Sequence, residues 1–206
     1  RAMVTADWVT VPEDPHHYRE ALVLAFRRYG ITVPGVPDLS EEALLWRQPD
    51  CDLGPVAGLS FAELSHRFEP GWFALPEARR ARADALGRFI VKGNDATRLK
   101  VFGLVAPGRH DDAEFEEPVI ESVRTLRRLT PDKELDFHVV AEVTQRVKRR
   151  GRWHMGGSTV VIDAEGHVRF VIRKRVGKWK RHDETDAFLD SFSIDVGPVH
   201  ASHGLE

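Results

Sequence analysis

The sequence has a single cysteine, Cys51, among its 206 residues. An internal disulfide is therefore excluded, and we expect a reducing compartment such as the cytoplasm, because structural disulfides belong to oxidising compartments. Long apolar runs are also missing, since none approaches the roughly 18–20 residues that span a bilayer. No signal-peptide pattern opens the chain. The sequence thus predicts a cytoplasmic protein that does not associate with membranes.

The sequence also lacks the short motifs that mark common catalytic and cofactor sites. Its ten histidines form no HExxH, HxH or Cys/His spacing, so no metal site is predicted. Neither GxxxxGKS/T nor GxGxxG is present, which disfavours P-loop and Rossmann nucleotide binding. Ser158 lacks the strand-turn-helix setting of a hydrolase nucleophile, and Cys51 is flanked by two aspartates that disfavour its thiolate. We expect no cofactor.

What is present is the composition of an ordinary globular protein, with 42% hydrophobic and 30% charged residues. Helix signals precede strand signals, which is typical of an α+β fold. We expect one domain over residues 1–206, with a helical part at 12–93, an antiparallel sheet at 97–176, and a short helix with a weakly ordered tail at 177–206. About four helices should pack on a meander of about five strands.

The first helix has clear start and stop signals. Asp14 is predicted to cap a helix that begins at Pro15 and ends at Tyr29, with Gly30 as the stop. Residues 1–13 are predicted to be extended.

The other elements follow from caps, turns and periodicity. Three more helices are expected after Ser40, at the Ser60–Glu63 capping box and at Pro76, with ends near Arg47, Phe68 and Lys92. Residues 97–106 are predicted to form the first strand, and Asp183–Phe192 a short terminal helix.

The centre of the sheet is predicted to be a hairpin over residues 119–147, with Thr130–Lys133 as its turn. That turn length would place Leu126 opposite Phe137. Alternation then gives one apolar and one polar face, as in a sheet packed on one side. The apolar face would carry Ile120, Leu126, Leu135, Phe137, Val139, Ala141 and Val143. The polar face would carry Glu121, Thr125, Arg127, Asp136, His138, Glu142 and Thr144.

A second hairpin is predicted over residues 158–172, closed by the turn Asp163–Gly166. Gly166 would take a positive φ in a type I turn with a bulge. This register pairs Val160 with Phe170 and makes both of them core residues.

Two histidines are the candidate catalytic residues. His138 shares the polar face with Asp136 and Glu142, but positions i and i+2 of a strand are about 6.6 Å apart, and i and i+4 about 13 Å. Asp136 would therefore reach His138 only by leaning along the strand. His154 precedes the pair Gly156–Gly157, which suits either a ligand loop or a turn that enters the hairpin.

The net charge of −2 hides an uneven distribution. Residues 146–181 hold twelve Lys and Arg against Asp163 and Glu165, a local charge of +10, so the remainder carries −12. An acidic stretch, Asp111–Glu117, lies just before the first hairpin. The basic segment predicts either a surface for polyanions or cations that pair with carboxylates of the same fold. The polyanion-binding candidates are Arg149, Arg150, Arg169, Arg173, Lys178 and Arg181.

Three classes of function remain open. The first is a non-catalytic binding or regulatory module that contacts a protein partner or the rest of a larger chain. Because arginine outnumbers lysine 23 to 7, we expect a GC-rich bacterial genome for such a protein. The second class is binding of nucleic acid or another polyanion through the basic segment. The third is an enzyme whose cleft lies on the polar sheet face and uses His138 or His154.

Overall fold

The computed structural model describes residues 1–33, 35–46, 48–65, 76–92, 95–129 and 135–191. The chain forms two compact units, Arg1–Val176 and a second unit that begins at Gly177. Within the described residues there are seven helices and a six-stranded antiparallel sheet, so the predicted α+β class is confirmed. The helices are α1 Ala2–Thr10, α2 Tyr18–Arg28, α3 Glu41–Leu44, α4 Phe61–Ser65, α5 Pro76–Ile90, α6 Ala96–Val101 and α7 Trp179–Ser191. The strands are β1 Gly108–His110, β2 Ala113–Phe115, β3 Val119–Leu129, β4 Leu135–Arg149, β5 Arg152–Ile162 and β6 Val168–Lys174.

The N-terminal residues are helical, so the prediction of an extended segment over 1–13 is wrong. Helix α1 has no side-chain cap, and its stability therefore depends on tertiary packing. Val4 of α1 packs in a small core with Val23 of α2 and Leu44 of α3. These contacts lie far apart in sequence, which is why a local pattern of apolar residues did not reveal the helix.

Arg19 joins these three helices from a buried position. Its guanidinium donates to Asp7 Oδ2 at 2.8 Å and to the carbonyls of Val11 and Pro12, both at 2.7 Å. Its Nε lies 3.0 Å from Glu41 Oε1. Burial by itself would lower the pKa of Arg19, but the carboxylates of Glu41 and Asp7 outweigh it and raise the pKa. The charge is thus compensated where it is buried.

The helix caps largely follow the sequence signals. Asp14 accepts from the backbone N–H groups of Tyr18 and Arg19, although α2 begins at Tyr18 and not at Pro15. The stop at Gly30 is confirmed by its φ of 66°. Ser60 and Glu63 exchange the hydrogen bonds of a capping box.

Three helices have ends that differ from the predicted ones. Helix α3 ends at Leu44, before Arg47, and α5 ends at Ile90, before Lys92. Helix α7 begins at Trp179, four residues before Asp183. The predicted end of α4 near Phe68 lies outside the described residues.

The segment over 97–106 begins with a helix, so the prediction of a first strand there is wrong. Asp95 Oδ1 caps α6 by accepting from Thr97 N at 2.8 Å. Leu99 and Phe102 are buried three positions apart, at helical spacing. The first strands are instead β1, which ends just before the acidic stretch, and β2, which lies within it. The two strands form a short hairpin.

Strand β4 organises the sheet, whose order is β1-β2-β4-β5-β6, with β3 also paired to β4. β3 runs along residues 135–144 of β4, and β2 continues the same edge along residues 147–149. The inner face of β4 and β5 forms the core, because its side chains are almost fully buried. They are Phe137, Val139, Ala141, Val143, Val160 and Ile162. Phe61 of α4 packs on Phe137 with ring centroids 5.1 Å apart, as expected for helices covering the apolar face.

The predicted register of the first hairpin is wrong by one residue. Leu126 pairs with His138, and Phe137 faces Arg127. A bulge between Ile120 and Ser122 shifts the register again. A shift of one residue reverses the faces, so Leu126 is 54% exposed while Val123 is buried. The predicted turn Thr130–Lys133 lies outside the described residues.

The turn of the second hairpin is confirmed. Gly166 has a φ of 88°, and the turn closes with a hydrogen bond from Asp163 N to His167 O of 2.9 Å. Beyond the pair Ile162–Val168 the register shifts, so Val160 pairs with Val171 and not with Phe170. Phe170 is nevertheless buried.

Candidate functional site

The sheet has a second face, opposite the core, which we call the outer face. It carries the residues that alternate with the buried inner-face residues of β3, β4 and β5. Its cross-strand pairs include Leu126–His138, Val140–Val161, Glu142–Thr159, Arg146–Met155 and Lys148–Trp153. Met155 is 56% exposed and Trp153 is 47% exposed. Large apolar side chains therefore remain exposed on a face that was predicted to be polar.

The two residues Arg150 and Gly151 form the turn that creates this part of the face. Both have positive φ angles, 49° and 80°, and they connect β4 to β5 where Arg149 pairs with Arg152. Such a turn matches the twist of the flanking strands. It places Trp153 beside Lys148 and Met155 beside Arg146. Sequence reasoning missed this hairpin, although the Arg-Gly pair between two β-rich segments was its signal.

Trp153 lies among cations. The Arg146 guanidinium carbon is 4.4 Å from the ring centroid, and the Lys148 ammonium is 5.7 Å from it. Such cation–π contacts stabilise by about 0.5–1 kcal/mol at exposed sites. Lys174, exposed at the end of β6, follows on the same face next to Gly157. We call Arg146, Lys148, Trp153 and Lys174 the basic–aromatic patch.

The glycine pair has a structural explanation, and both predicted settings, a ligand loop or a turn that enters the hairpin, are wrong. Gly156 and Gly157 lie inside β5. A Cβ on Gly156 would be 2.5 Å from the Lys174 carbonyl oxygen, and one on Gly157 would overlap the carbonyl oxygen of Val143. His154 is in the same strand and pairs with Val147. The glycines therefore allow the backbone of neighbouring strands to approach closely.

The missing side chain at Gly157 also shapes the surface. A depression of about 350 Å³ lies where β4, β5 and β6 meet. Its lining includes Glu142, Thr144, Met155, Thr159, Ile172 and Lys174. The basic–aromatic patch therefore borders a depression with apolar and polar walls.

Of the three candidate residues His138, Asp136 and Glu142, the structure brings the first two together. His138 Nδ1 is 3.4 Å from Asp136 Oδ1, and their side chains are 18% and 23% exposed. Asp136 thus leans along the strand, as the spacing required. Glu142 instead accepts from Ser122 Oγ at 3.2 Å. An aspartate that orients an imidazole supports proton transfer only when a substrate group lies within hydrogen-bond reach.

Part of the basic segment pairs with the acidic stretch. Asp112 Oδ2 is 3.0 Å from Arg149 Nε and 3.6 Å from Arg150 Nε. Glu116 Oε2 is 3.6 Å from Arg146 Nε. The pairing of β2 with residues 147–149 of β4 places these charges side by side. The polyanion candidates Arg149 and Arg150 are therefore partly neutralised within the fold.

The other basic candidates occupy different settings. Arg173 is exposed near the end of β6, and Arg169 lines a separate cavity of about 450 Å³ with Cys51, Asp163 and His167. Lys178 and Arg181 belong to the second unit, where Arg181 Nη2 lies 3.1 Å from His182 Nε2. Burial lowers the pKa of the Arg181 guanidinium.

Known proteins do not supply an assignment, since no family model, curated protein or solved structure matches this chain. Within the described ranges, His, Cys, Asp and Glu side chains do not form a group of three or more that could hold a metal ion. Over the same ranges, no helix combines the length and the apolar character needed to cross a membrane.

Proposed function

We propose that the protein is a non-catalytic binding module whose outer sheet face holds a protein partner. The observation that carries this proposal is the exposure of Trp153 and Met155 beside the cations of the basic–aromatic patch. Trp, Met and Arg are enriched at protein interfaces, where an apolar centre is surrounded by polar residues. The single cysteine keeps a reducing, cytoplasmic compartment as part of the proposal.

The apolar surface of Trp153 and Met155 is large enough to contribute to the affinity for a partner. A buried aromatic side chain removes about 150–250 Å² from water, and each Å² of apolar surface stabilises by roughly 25 cal/mol. Covering Trp153 and the neighbouring Met155 would thus contribute a few kcal/mol to an interface, before the costs of association. Lys148 and Lys174 at the edge would add to specificity and association rate more than to affinity.

Site-specific photo-crosslinking tests the proposal. A benzophenone side chain replaces Lys148, the exposed cross-strand partner of Trp153, or, as a matched control, the exposed Lys100 on α6, in cells of the source organism. We expect a discrete protein adduct from the outer-face position alone. The crosslinked partner is identified by mass spectrometry and then purified without the crosslink. Its affinity for the wild-type protein is compared with its affinity for Trp153→Ala. Adducts that are equal at both positions, or an affinity unchanged by Trp153→Ala, would contradict the proposal.

Binding of a polyanion is the second candidate, and exposed Lys148, Arg173 and Lys174 are the observation that favours it. Against it stand the pairing of Asp112 with Arg149 and Arg150 and that of Glu116 with Arg146. Polyanion affinity grows with the number of phosphates that are neutralised, so cations already paired contribute less. The protein partner therefore remains the leading proposal.

A further inference from the structure

We infer that the partner presents an acidic segment with one apolar anchor side chain, which enters the depression over Gly157. This inference rests on the proposed function, because it names the chemistry of the partner at the same outer face.

The depression provides a place for the anchor. Gly157 contributes no side chain to its floor, and Ile172, Thr159 and Met155 contribute to its walls. Its volume of about 350 Å³ lies at the lower end of the range for ligand pockets, about 300–1,000 Å³. It therefore suits one large side chain from a partner and is too small for a helix.

The cations beside the depression define the charge of the segment. Lys174 pairs with Gly157 across β5 and β6. On β4, Lys148 lies two outer-face positions beyond Thr144, the residue that pairs with Gly157, and one beyond Arg146. Among the described residues, neither Lys148 nor Lys174 forms an ion pair with a carboxylate. Both side chains are exposed, but Lys148 has Glu114 as its cross-strand neighbour, so Lys174 is the cation best placed for a carboxylate of a partner.

The carboxylates of the outer face lie on the β2 and β3 side of β4, away from β6, and Glu114 of β2 is the cross-strand neighbour of Lys148. Glu142 accepts from Ser122 of β3, and Glu121 accepts from Thr144 Oγ1 at 2.7 Å. A segment that crosses the sheet would therefore need its negative charge over Lys174 on β6 and its apolar residue over Gly157. The asymmetry gives the segment one preferred orientation.

This layout favours a peptide over a nucleic acid. A phosphate backbone carries charge at every nucleotide and would meet Glu142, which lines the depression itself. Stacking of bases needs a free aromatic face. The Arg146 guanidinium lies over one face of the Trp153 ring, which leaves only the other face for a base. A peptide can place its carboxylates selectively and keep an apolar residue for the depression.

A titration with defined probes tests the inference on the full chain. Amide resonances of isotope-labelled protein are followed while a short glutamate peptide with one central leucine is added. Three comparison probes are the same peptide with serine for leucine, a lysine peptide with the same leucine, and oligothymidylate. We expect saturable shifts centred on Thr144, Gly157, Thr159, Ile172 and Lys174. The serine peptide should bind about tenfold more weakly or worse, because the leucine loses its burial, and the lysine peptide and oligothymidylate should not bind there.

Charge reversal supplies the matched variants. Lys174→Glu should lower the affinity for the leucine peptide about fivefold or more at low salt. Lys100→Glu on α6 should leave that affinity unchanged. Equal binding of the serine peptide, preferred binding of oligothymidylate, or no outer-face shifts at millimolar peptide would each overturn the inference. If the leucine peptide does not bind while Trp153→Ala still lowers the affinity for the crosslinked partner, the proposed function stands. Only the acidic segment with its apolar anchor is then refuted.

Discussion

Replacement of Gly157 by alanine tests the tightest feature of the sheet. Gly157 has a φ of 151°, a conformation that side-chain-bearing residues rarely adopt. An added Cβ would overlap the Val143 carbonyl oxygen and lie 2.9 Å from Thr144 Cα. Both obstacles are backbone atoms of β4, so no side-chain rotation relieves them. The strands β4 and β5 must separate locally for the variant to fold.

The expected cost follows from two contributions. The backbone conformation costs about 1–3 kcal/mol for alanine. Separation of the strands weakens about two ladder hydrogen bonds, each with a net contribution of about 1 kcal/mol. We therefore expect Gly157→Ala to lower the free energy of unfolding by roughly 3–5 kcal/mol, a large part of the 5–15 kcal/mol of a typical domain.

Gly151→Ala is the matched control. Gly151 also has a positive φ, 80°, but nothing lies within 4 Å of its added Cβ. Gly151→Ala should lower the free energy of unfolding by only about 1–2 kcal/mol, because alanine is strained in the left-handed conformation. Urea unfolding followed by circular dichroism measures both variants. If Gly157→Ala lowers the free energy of unfolding no more than Gly151→Ala, β4 and β5 do not approach closely at Gly157.

Three further predictions concern the core, a cap and the basic segment. Phe137→Ala should lower the free energy of unfolding by about 3–5 kcal/mol with an unchanged denaturant slope, because Phe137 is 2% exposed; a small change would mean that the sheet faces are reversed. Ser60→Ala should cost about 1 kcal/mol at pH 7. Hydrogen bonds from Ser60 lower the pKa of Glu63 below its ordinary value of 4.5, so their stabilisation is present above that value and is lost as the pH falls through the folded-state pKa. The variant should therefore lose less stability than wild type on acidification, and equal acid sensitivity would argue against the capping box. For the basic segment, wild type and Arg149→Glu/Arg150→Glu are compared by oligonucleotide anisotropy at about 50 and 200 mM salt; we expect no saturable binding at either salt, and tight, salt-sensitive binding by wild type alone would restore the polyanion candidate.

The features that the sequence determined by itself are those set by neighbouring residues. The Ser60–Glu63 capping box forms because its donors and acceptors lie within one helical turn. Gly166 closes its turn because few other residues tolerate its φ, and alternation along β4 separated Phe137 and Val139 from His138. The class of fold followed from these local signals, since a strand with one apolar face needs helices to cover it.

The tertiary structure decided what depends on distant residues. Strand β3 pairs with β4 from Leu129–Leu135 onward, one residue away from the predicted register, and this moves Leu126 from the predicted core to the outer face. Bulges after Ile120 and before Ile162 shift the registers again further along the strands. Helix α1 exists because α2 and α3 pack on it. The contact of Asp112 with Arg149 depends on the pairing of β2 with β4. In that pairing Ala113 lies opposite Arg149, which is 36 residues away in sequence. The depression over Gly157 depends on where β6 meets β5. A chain segment cannot encode such features alone, because their energy comes from partners that only the folded chain brings near.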